Sequence, residues 1–406
     1  IIEESPIRKK TECPYFGECG GCTFQHIPYQ NQLQFKREIV AETMKRLGNF
    51  ENVPVETVIP SPLQWEYRNK MEFAFGKNAY GVFAGLHRRG RYDVLLPVAK
   101  QCLLISKKIR QVCSSIEEMA QGEATYDPVK GIGYLRFLSI RRSFYMDKII
   151  VGITVTQKIN PEIFEFWFEE LNRRFPDYII GGYLTINPGG GSTEGEFIPM
   201  FGDNEFIEKL GDKKFNVSAT SFFQTNPKAA EKLYNTAAEY ANLSGSETLW
   251  DLYCGTGTIG IFMWNDIKSL IGIEENKDSV GDAIRNARLN DIPLDEPDCI
   301  IENPNSNAAG FFTGKVRKVL WELQQKDIQS PDVVIIDPPR SGLTKKAVIR
   351  IAKFSPQKIV YISCNPATIA RDGALFSQNG YELIRVRPVD MFPQTYHIES
   401  VALFEK

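Results

Sequence analysis

Leu249-Trp250-Asp251-Leu252-Tyr253-Cys254-Gly255-Thr256-Gly257-Thr258-Ile259-Gly260 is the stretch that decides the fold. It reads as a strand, a glycine-rich turn and the start of a helix, and its three glycines make a GxGxxG match. Glu274, 23 positions after Asp251, closes the next strand, where a carboxylate can hold ribose hydroxyls. Nicotinamide dinucleotides and adenosyl ligands both use such an acid. Asp251 separates them: beside the turn it would repel a pyrophosphate, and it suits the ammonium and sulfonium of S-adenosylmethionine.

The same alternation continues outward. Asn226-Pro227 is a cap and first-turn signal for a helix running to about residue 240. Strands follow at 269–274, 332–337, 358–363, 381–388 and 400–405, with helices after the first four strands of this half. The pattern predicts an α/β fold with a doubly wound parallel sheet whose ligands sit at the carboxyl ends of the strands. Upstream, residues 63–217 read as a β-rich domain. Its strands are expected at 71–75, 134–140, 149–155 and 183–186, with a helix at 161–174 and a flexible Pro-Gly turn at 188–192. Residues 31–47 form an amphipathic helix with Leu33, Val40, Met44 and Leu47 on one face. The expected division is a cysteine segment at 1–30, a helical segment at 31–62, the β-rich domain at 63–217 and the Rossmann-like domain at 218–406.

The bulk composition fits this reading. The chain has 406 residues, enough for two or three domains, with 43% apolar and 24% charged residues. No apolar run is long enough to span a bilayer, and residues 1–11 lack the apolar stretch of a secretory signal, so a cytoplasmic protein without membrane partners is expected. Lys plus Arg is 48 against 50 for Asp plus Glu, which disfavours a globally basic nucleic-acid binder but leaves room for a local basic patch.

Three of the eight cysteines crowd into Cys13-Pro-Tyr-Phe-Gly-Glu-Cys19-Gly-Gly-Cys22. Close thiolates repel one another unless a cation neutralises them, which argues for a metal, and the amides of Gly20 and Gly21 could turn toward sulfur. A fourth ligand must return from later in the chain; Cys102 is the nearest candidate and Cys113 its competitor. Zinc sites usually present two CxxC pairs, so this spacing favours an iron–sulfur cluster.

Two further strand ends carry chemistry. Ile335-Ile336-Asp337-Pro338-Pro339-Arg340-Ser341-Gly342 places an acid before two prolines that stiffen a pocket wall. Ser363-Cys364-Asn365-Pro366 puts a cysteine between a buried strand and a helix, whose N-terminus is expected to lower the thiol pKa. Cys364 is therefore a better nucleophile candidate than Cys254 or Cys299.

With CPYFGECGGC, FFQTNP (222–227), DLYCGTGTIG, DPPRSGL (337–343), SCNPATIARD (363–372) and FPQTYHIES (392–400) in this order, the chain resembles the iron–sulfur-containing RNA 5-methyluridine methyltransferases of the 23S ribosomal RNA type. The resemblance runs from Cys13 to the C-terminus. It implies a 4Fe–4S cluster on Cys13, Cys19, Cys22 and Cys102, the last in a Gln-Cys-Leu-Leu context. It implies S-adenosylmethionine contacts from Gln224, Tyr253, Thr258, Glu274, Asn303 and Asp337, with Cys364 as nucleophile and Glu399 as general base. It further implies a monomer acting on RNA, most readily ribosomal RNA, and a helix near 31–47 packed on the catalytic domain. Members of this type usually begin with a small RNA-binding barrel, and Ile1–Pro6 reads as the segment just after it.

The alternatives are the same chemistry on transfer RNA, a catalytically silent iron–sulfur RNA-binding module, and a nicotinamide oxidoreductase that would leave SCNP and HIES unexplained. For RNA contact, Arg8-Lys9-Lys10 is a short run near the terminus that reads as a solvated tail, and the better candidates are His87-Arg88-Arg89-Gly90-Arg91 and the stretch from Arg136 to Arg142 with its neighbouring aromatics. Phe222, Phe392 and Tyr396 are candidates to stack on a base, and His397 to support Glu399.

Overall fold

The computed structural model describes residues 3–157, 162–189, 191–295, 307–326, 328 and 330–406. It opens with helix α1 (Tyr29–Gly48), which Asn49 ends in the left-handed conformation. The first sheet follows: β1 (Lys70–Asn78), β2 (Gly81–Arg88), β3 (Arg91–Leu96), β4 (Leu135–Ser143), β5 (Lys148–Val155), β6 (Ile179–Ile186) and β7 (Glu196–Gly202), in the order β3-β2-β1-β4-β5-β6-β7. Neighbours are antiparallel except β5 and β6, which run parallel because helix α3 (Glu162–Arg174) crosses between them. Helix α2 (Lys107–Met119) starts where Ser106 accepts from the Ile109 amide, and its Ile109, Val112, Cys113 and Ile116 face the core of this sheet. The sequence reading missed α2, although Ile109, Val112, Cys113 and Ile116 recur at helical spacing.

A hairpin, β8 (Glu205–Leu210) and β9 (Lys213–Ser218), leads to the second half. There α4 (Pro227–Ala241) precedes β10 (Thr248–Leu252), α5 (Thr258–Phe262), β11 (Ser269–Glu274), α6 (Lys277–Leu289), β12 (Ala309–Thr313), α7 (Val316–Gln325), β13 (Val333–Ile336), α8 (Lys345–Phe354), β14 (Lys358–Ser363), α9 (Pro366–Ser377), β15 (Glu382–Val389) and β16 (Glu399–Glu405). The strand order is β12-β11-β10-β13-β14-β16-β15. Among the described strands of this sheet, only β16 runs against the rest, so the expected wholly parallel sheet is corrected to a mixed one. β12 and α7 lie in a span that the sequence reading left without elements.

Both faces of this sheet are buried, and alternate side chains of each strand serve different cores. Leu249, Ile335, Val360 and Val401 pack with α4 on one face; Trp250, Val334, Ile359 and Ala402 pack with α7, α8 and α9 on the other. α1 lies against α9, with Val40 and Met44 in that second core, so a helix that precedes the first sheet completes the second domain. The 205–218 hairpin, which sequence reading grouped with the β-rich region, also packs here: Phe206, Leu210, Phe215 and Val217 join the α4 side.

Candidate active site

The carboxyl ends of β10, β11, β13 and β14 converge on a cavity of about 690 Å³. Because β16 is antiparallel, its amino end reaches the same edge. The cavity brings together Gln224, Tyr253, Thr258, Glu274, Asp337, Cys364 and Glu399. Asn303 lies outside the described residues.

The glycine turn is shaped by its own backbone. Gly257, at the start of α5, has φ +76°, and a Cβ there would stand 3.0 Å from both the Ala283 Cβ and the Ile261 Cδ1. Tyr253 also adopts a positive φ, 66°. Glu274 accepts hydrogen bonds from the Gly255 amide (3.1 Å) and the Asn276 amide (2.8 Å), which fixes its carboxylate at the turn. Thr258 and Tyr234 share a hydroxyl contact at 3.2 Å. The 218–226 loop that carries Gln224 is tied to the other domain. The Asn69 side chain donates to the Gln224 carbonyl at 3.0 Å, and the Asn69 amide donates to the Thr225 carbonyl.

Asp251 departs from the sequence expectation. It is fully buried, accepts from the Gly260 amide at 2.9 Å and does not line the cavity, so it braces the turn rather than facing a cationic ligand. Burial pushes its carboxyl up to about 7.

Cys364 and Glu399 are brought together by strand register. β14 and β16 pair Ser363 with Ser400, so the next step past the end of the ladder sets Cys364 beside Glu399. Burial first, then the Glu399 charge, pushes the Cys364 thiol up, while Arg340 opposes the shift. The expected depression by the helix N-terminus is thus overturned. The α9 terminus is already served by Asn365, whose side chain accepts from the Ala367 amide at 3.1 Å, and by Ser363, which accepts from the Asn365 amide at 3.0 Å. Burial also raises Glu399 well above the ordinary carboxyl range, with Asp337 adding to the shift and Arg340 countering it. Asp337 itself is pushed up to about 7 by burial.

Aromatic rings and cations finish the cavity. Phe222 is exposed at its rim and Phe392 half-buried in its wall. Tyr396 lies with its ring centroid 4.5 Å from that of His397, which meets Phe392 edge-on at 5.9 Å. Burial holds the His397 imidazole below its ordinary range, and Arg340 pushes the same way. Arg340 stood inside a quoted motif without an assigned role; Arg68, which also lines the cavity, had no sequence signal because it sits in an aperiodic Tyr-Arg-Asn loop.

Arg68 and Thr225 also line a second cavity of about 490 Å³, where Cys13, Cys19, Cys22 and Cys102 meet. The Gly21 amide donates to the Cys19 sulfur at 3.4 Å. Burial, reinforced by the neighbouring sulfurs, pushes Cys22 up to about 12, and burial pushes Cys102 up to about 11. Cys113 lies in the core of the first sheet instead. Among the described residues, no three His, Cys, Asp or Glu side chains are arranged around a single metal ion.

The expected RNA surfaces fare differently. Arg136 and Arg141 are buried: Arg136 donates to the Asn187 carbonyl (2.6 Å) and side chain (2.8 Å), and Arg141 to the carbonyls of Ser218 (2.8 Å) and Ser221. Arg142 pairs with Asp147 at 2.7 Å. That stretch binds the protein to itself and is no phosphate surface. Arg88 to Arg91 sit at the β2–β3 turn, where Arg88 pairs with Glu18 and the Arg89 amide donates to the Glu18 carbonyl, so the basic turn is joined to the cysteine loop. Among the described residues, no helix is long and apolar enough to cross a membrane.

Comparison with known proteins agrees with this architecture. A family model for tRNA (uracil-5-)-methyltransferase matches residues 28–406. An uncharacterized RNA methyltransferase of Caldanaerobacter subterraneus is 38% identical over 414 residues, covering 100% of this chain and 87% of the relative. One from Clostridium tetani is 35% identical, covering 99% of this chain and 85% of the relative. The crystal structure of Pyrococcus abyssi tRNA (uracil-54, C5)-methyltransferase in complex with S-adenosyl-L-homocysteine superposes with a TM-score of 0.76 at 26% identity, covering 100% of this chain and 88% of that one. With its strand order, its glycine turn and its paired Cys364 and Glu399 at one sheet edge, the chain belongs to the RNA uracil-5-methyltransferase family.

Proposed function

We propose that the protein transfers a methyl group from S-adenosylmethionine to carbon 5 of a uridine in RNA, through a temporary bond from Cys364 to carbon 6. The observation that carries this reading is the β14–β16 register, which sets a thiol and a buried carboxyl side by side in a cavity large enough for a nucleotide base and a donor. Gln224, Tyr253, Thr258, Glu274 and Asp337 are the proposed donor contacts, with Asn303 as a further one. When bound, the donor supplies the methyl group as an electrophile.

Carbon 5 of uracil is a weak nucleophile on its own. The Cys364 thiolate adds to carbon 6, and the electrons of the 5,6 double bond move onto the carbonyl at carbon 4 as an enolate. Carbon 5 is then electron-rich enough to take the methyl group. The Glu399 carboxylate removes the proton left on carbon 5, the double bond reforms and the sulfur–carbon bond breaks, returning Cys364 as a thiolate. A buried carboxylate of raised pKa is a stronger base than an exposed one, which suits this step. The Arg340 guanidinium favours both anions. The base must leave its stack to reach the cavity, and Phe222 at the rim is placed to receive it.

Cys13, Cys19, Cys22 and Cys102 are the proposed ligands of a 4Fe–4S cluster, which would cross-link the 13–22 loop to the chain at Cys102. The motif resemblance favours 23S ribosomal RNA as substrate. The likeness to the Pyrococcus abyssi tRNA enzyme favours the second reading, a transfer RNA uridine.

The test is to incubate the protein with the methyl donor and 5-fluorouridine-substituted transcripts of 23S ribosomal RNA fragments and of transfer RNA. Fluorine cannot leave as a cation, so a covalent RNA–protein adduct should accumulate with the true substrate. No adduct with any transcript, while unsubstituted RNA is still methylated, would remove the covalent mechanism.

A further inference from the structure

The segment from Asp390 to His397, between β15 and β16, has almost no regular structure, yet Asp390, Met391, Pro393, Gln394 and Thr395 are buried. It carries Phe392 and His397 and runs into Glu399. Regular hydrogen bonding does not hold it in place, so other elements must.

Those elements come from the far end of the sequence. The Lys36 ammonium of α1 donates to Asp390 Oδ1 at 2.6 Å and to the Phe392 carbonyl at 3.1 Å, and neither side chain of this pair has any exposed surface. The Tyr29 hydroxyl donates to Asp390 Oδ2 at 2.8 Å. One turn on, Gln32 and Gln394 bind each other twice: the Gln32 Nε2 donates to Gln394 Oε1 at 3.0 Å, and the Gln394 amide donates to Gln32 Oε1 at 3.0 Å. Gln394 is held at φ +67°, a conformation that a non-glycine residue keeps only when its surroundings enforce it. The Tyr67 hydroxyl and the Asn226 side chain donate to the Pro393 and Met391 carbonyls.

A fully buried ion pair is a poor way to gain stability, since two apolar side chains of similar volume would serve as well or better. What the pair does supply is direction: the ammonium reaches the carboxylate and the Phe392 carbonyl together, which fixes the segment along its length as well as its depth. We propose that Lys36, through Asp390 and the Phe392 carbonyl, is a positioning residue that sets Glu399 and Phe392 for removal of the carbon 5 proton. This rests on the reading of Glu399 as the base. α1 thereby has a catalytic task in addition to closing the second core.

The step affected is the last one. When proton removal slows, the methylated intermediate stays bonded to Cys364, so covalent complex should build up on ordinary uridine RNA. The experiment compares wild type, Glu399→Gln, Lys36→Met and the Lys36→Met/Asp390→Leu double variant on unsubstituted transcript, with 5-fluorouridine transcript as control. The double variant leaves no unpaired buried charge, so it keeps the test valid if the single variant folds poorly. The expected result is a kcat lowered by about 10²-fold in the double variant, with KM for S-adenosylmethionine close to wild type and covalent complex on ordinary RNA, as with Glu399→Gln. A double variant with wild-type kcat and no such complex overturns the proposal. Loss of kcat without the complex also overturns it, because a merely structural defect slows every step alike. If wild type traps no 5-fluorouridine RNA, the covalent reading falls and this inference with it; if wild type traps it and the double variant turns over normally, only this inference falls.

Discussion

The two cavities share Arg68 and Thr225 as a common wall, yet they are built in opposite ways. The larger one is made by strand ends. Its chemistry-bearing residues are separated by up to 175 positions from Gln224 to Glu399, and a sheet edge brings them together. The smaller one sets a ten-residue loop, 13–22, against the start of β1, the end of β2 and the stretch that carries Cys102. In the first, burial raises the Cys364 thiol and the Glu399 carboxyl, the pair proposed to change protonation; in the second, four thiols share the cavity with Glu72 and His87. On the proposed function, the contrast separates a site that moves protons from one that holds a cluster still.

The largest effect expected on that contrast is at Cys364. Cys364→Ala should lower methyl transfer by at least about 10⁴-fold and abolish the 5-fluorouridine adduct, measured by tritium incorporation and gel shift, without changing the absorbance of the protein. Cys22→Ser should do the converse at the smaller cavity. Iron and acid-labile sulfide should fall sharply by chemical assay, with a lowered Tm, while S-adenosylmethionine binding by calorimetry persists. If Cys22→Ser leaves iron content intact, the cluster assignment is wrong.

Smaller effects sharpen the electrostatics. On the proposed mechanism the Cys364 thiolate attacks, and burial raises the thiol's pKa, so the rate of adduct formation should climb with pH through and beyond the ordinary thiol range. Arg340→Gln removes the charge that favours the anion and should move that profile upward by less than about one unit, screened by solvent at an exposed site. The remaining effect, on stability rather than on rate, belongs to Asp251. Its folded-state pKa of about 7 lies above the ordinary 3.8, so its contribution to stability is full below about pH 4 and is lost as pH rises toward 7. The Asp251→Asn variant has no such titration. The Tm of wild type relative to that variant should therefore decline between pH 4 and 7, and a pH-independent difference would remove Asp251 from the ionisable set.

The sequence by itself determined the second domain's strand–helix alternation, because apolar runs punctuated by glycine and proline leave a local signature. It also determined which side chains could do chemistry: the motifs around Cys364, Glu399 and Asp337, and the cysteine loop, are all local strings. Its failures have physical causes. β12, missed in sequence, is five residues long with Gly310 inside it, too short for a period-2 pattern to show. Arg136 and Arg141 look like a basic surface in one dimension, and only the packed structure shows them buried and donating to carbonyls from loops about 50 and 80 residues away. The Cys364 thiol looked activated by a helix end, but its pKa is set by burial and by Glu399, which the chain supplies 35 residues later. Tertiary structure alone decided that β16 runs backward, and so that Glu399 and Cys364, the proposed base and nucleophile, share an edge. It alone seated Lys36 beneath Asp390, 354 positions away. Local chemistry is written in neighbouring residues; the placement of one charge against another depends on what lies between them in space, and that is fixed only when the chain has folded.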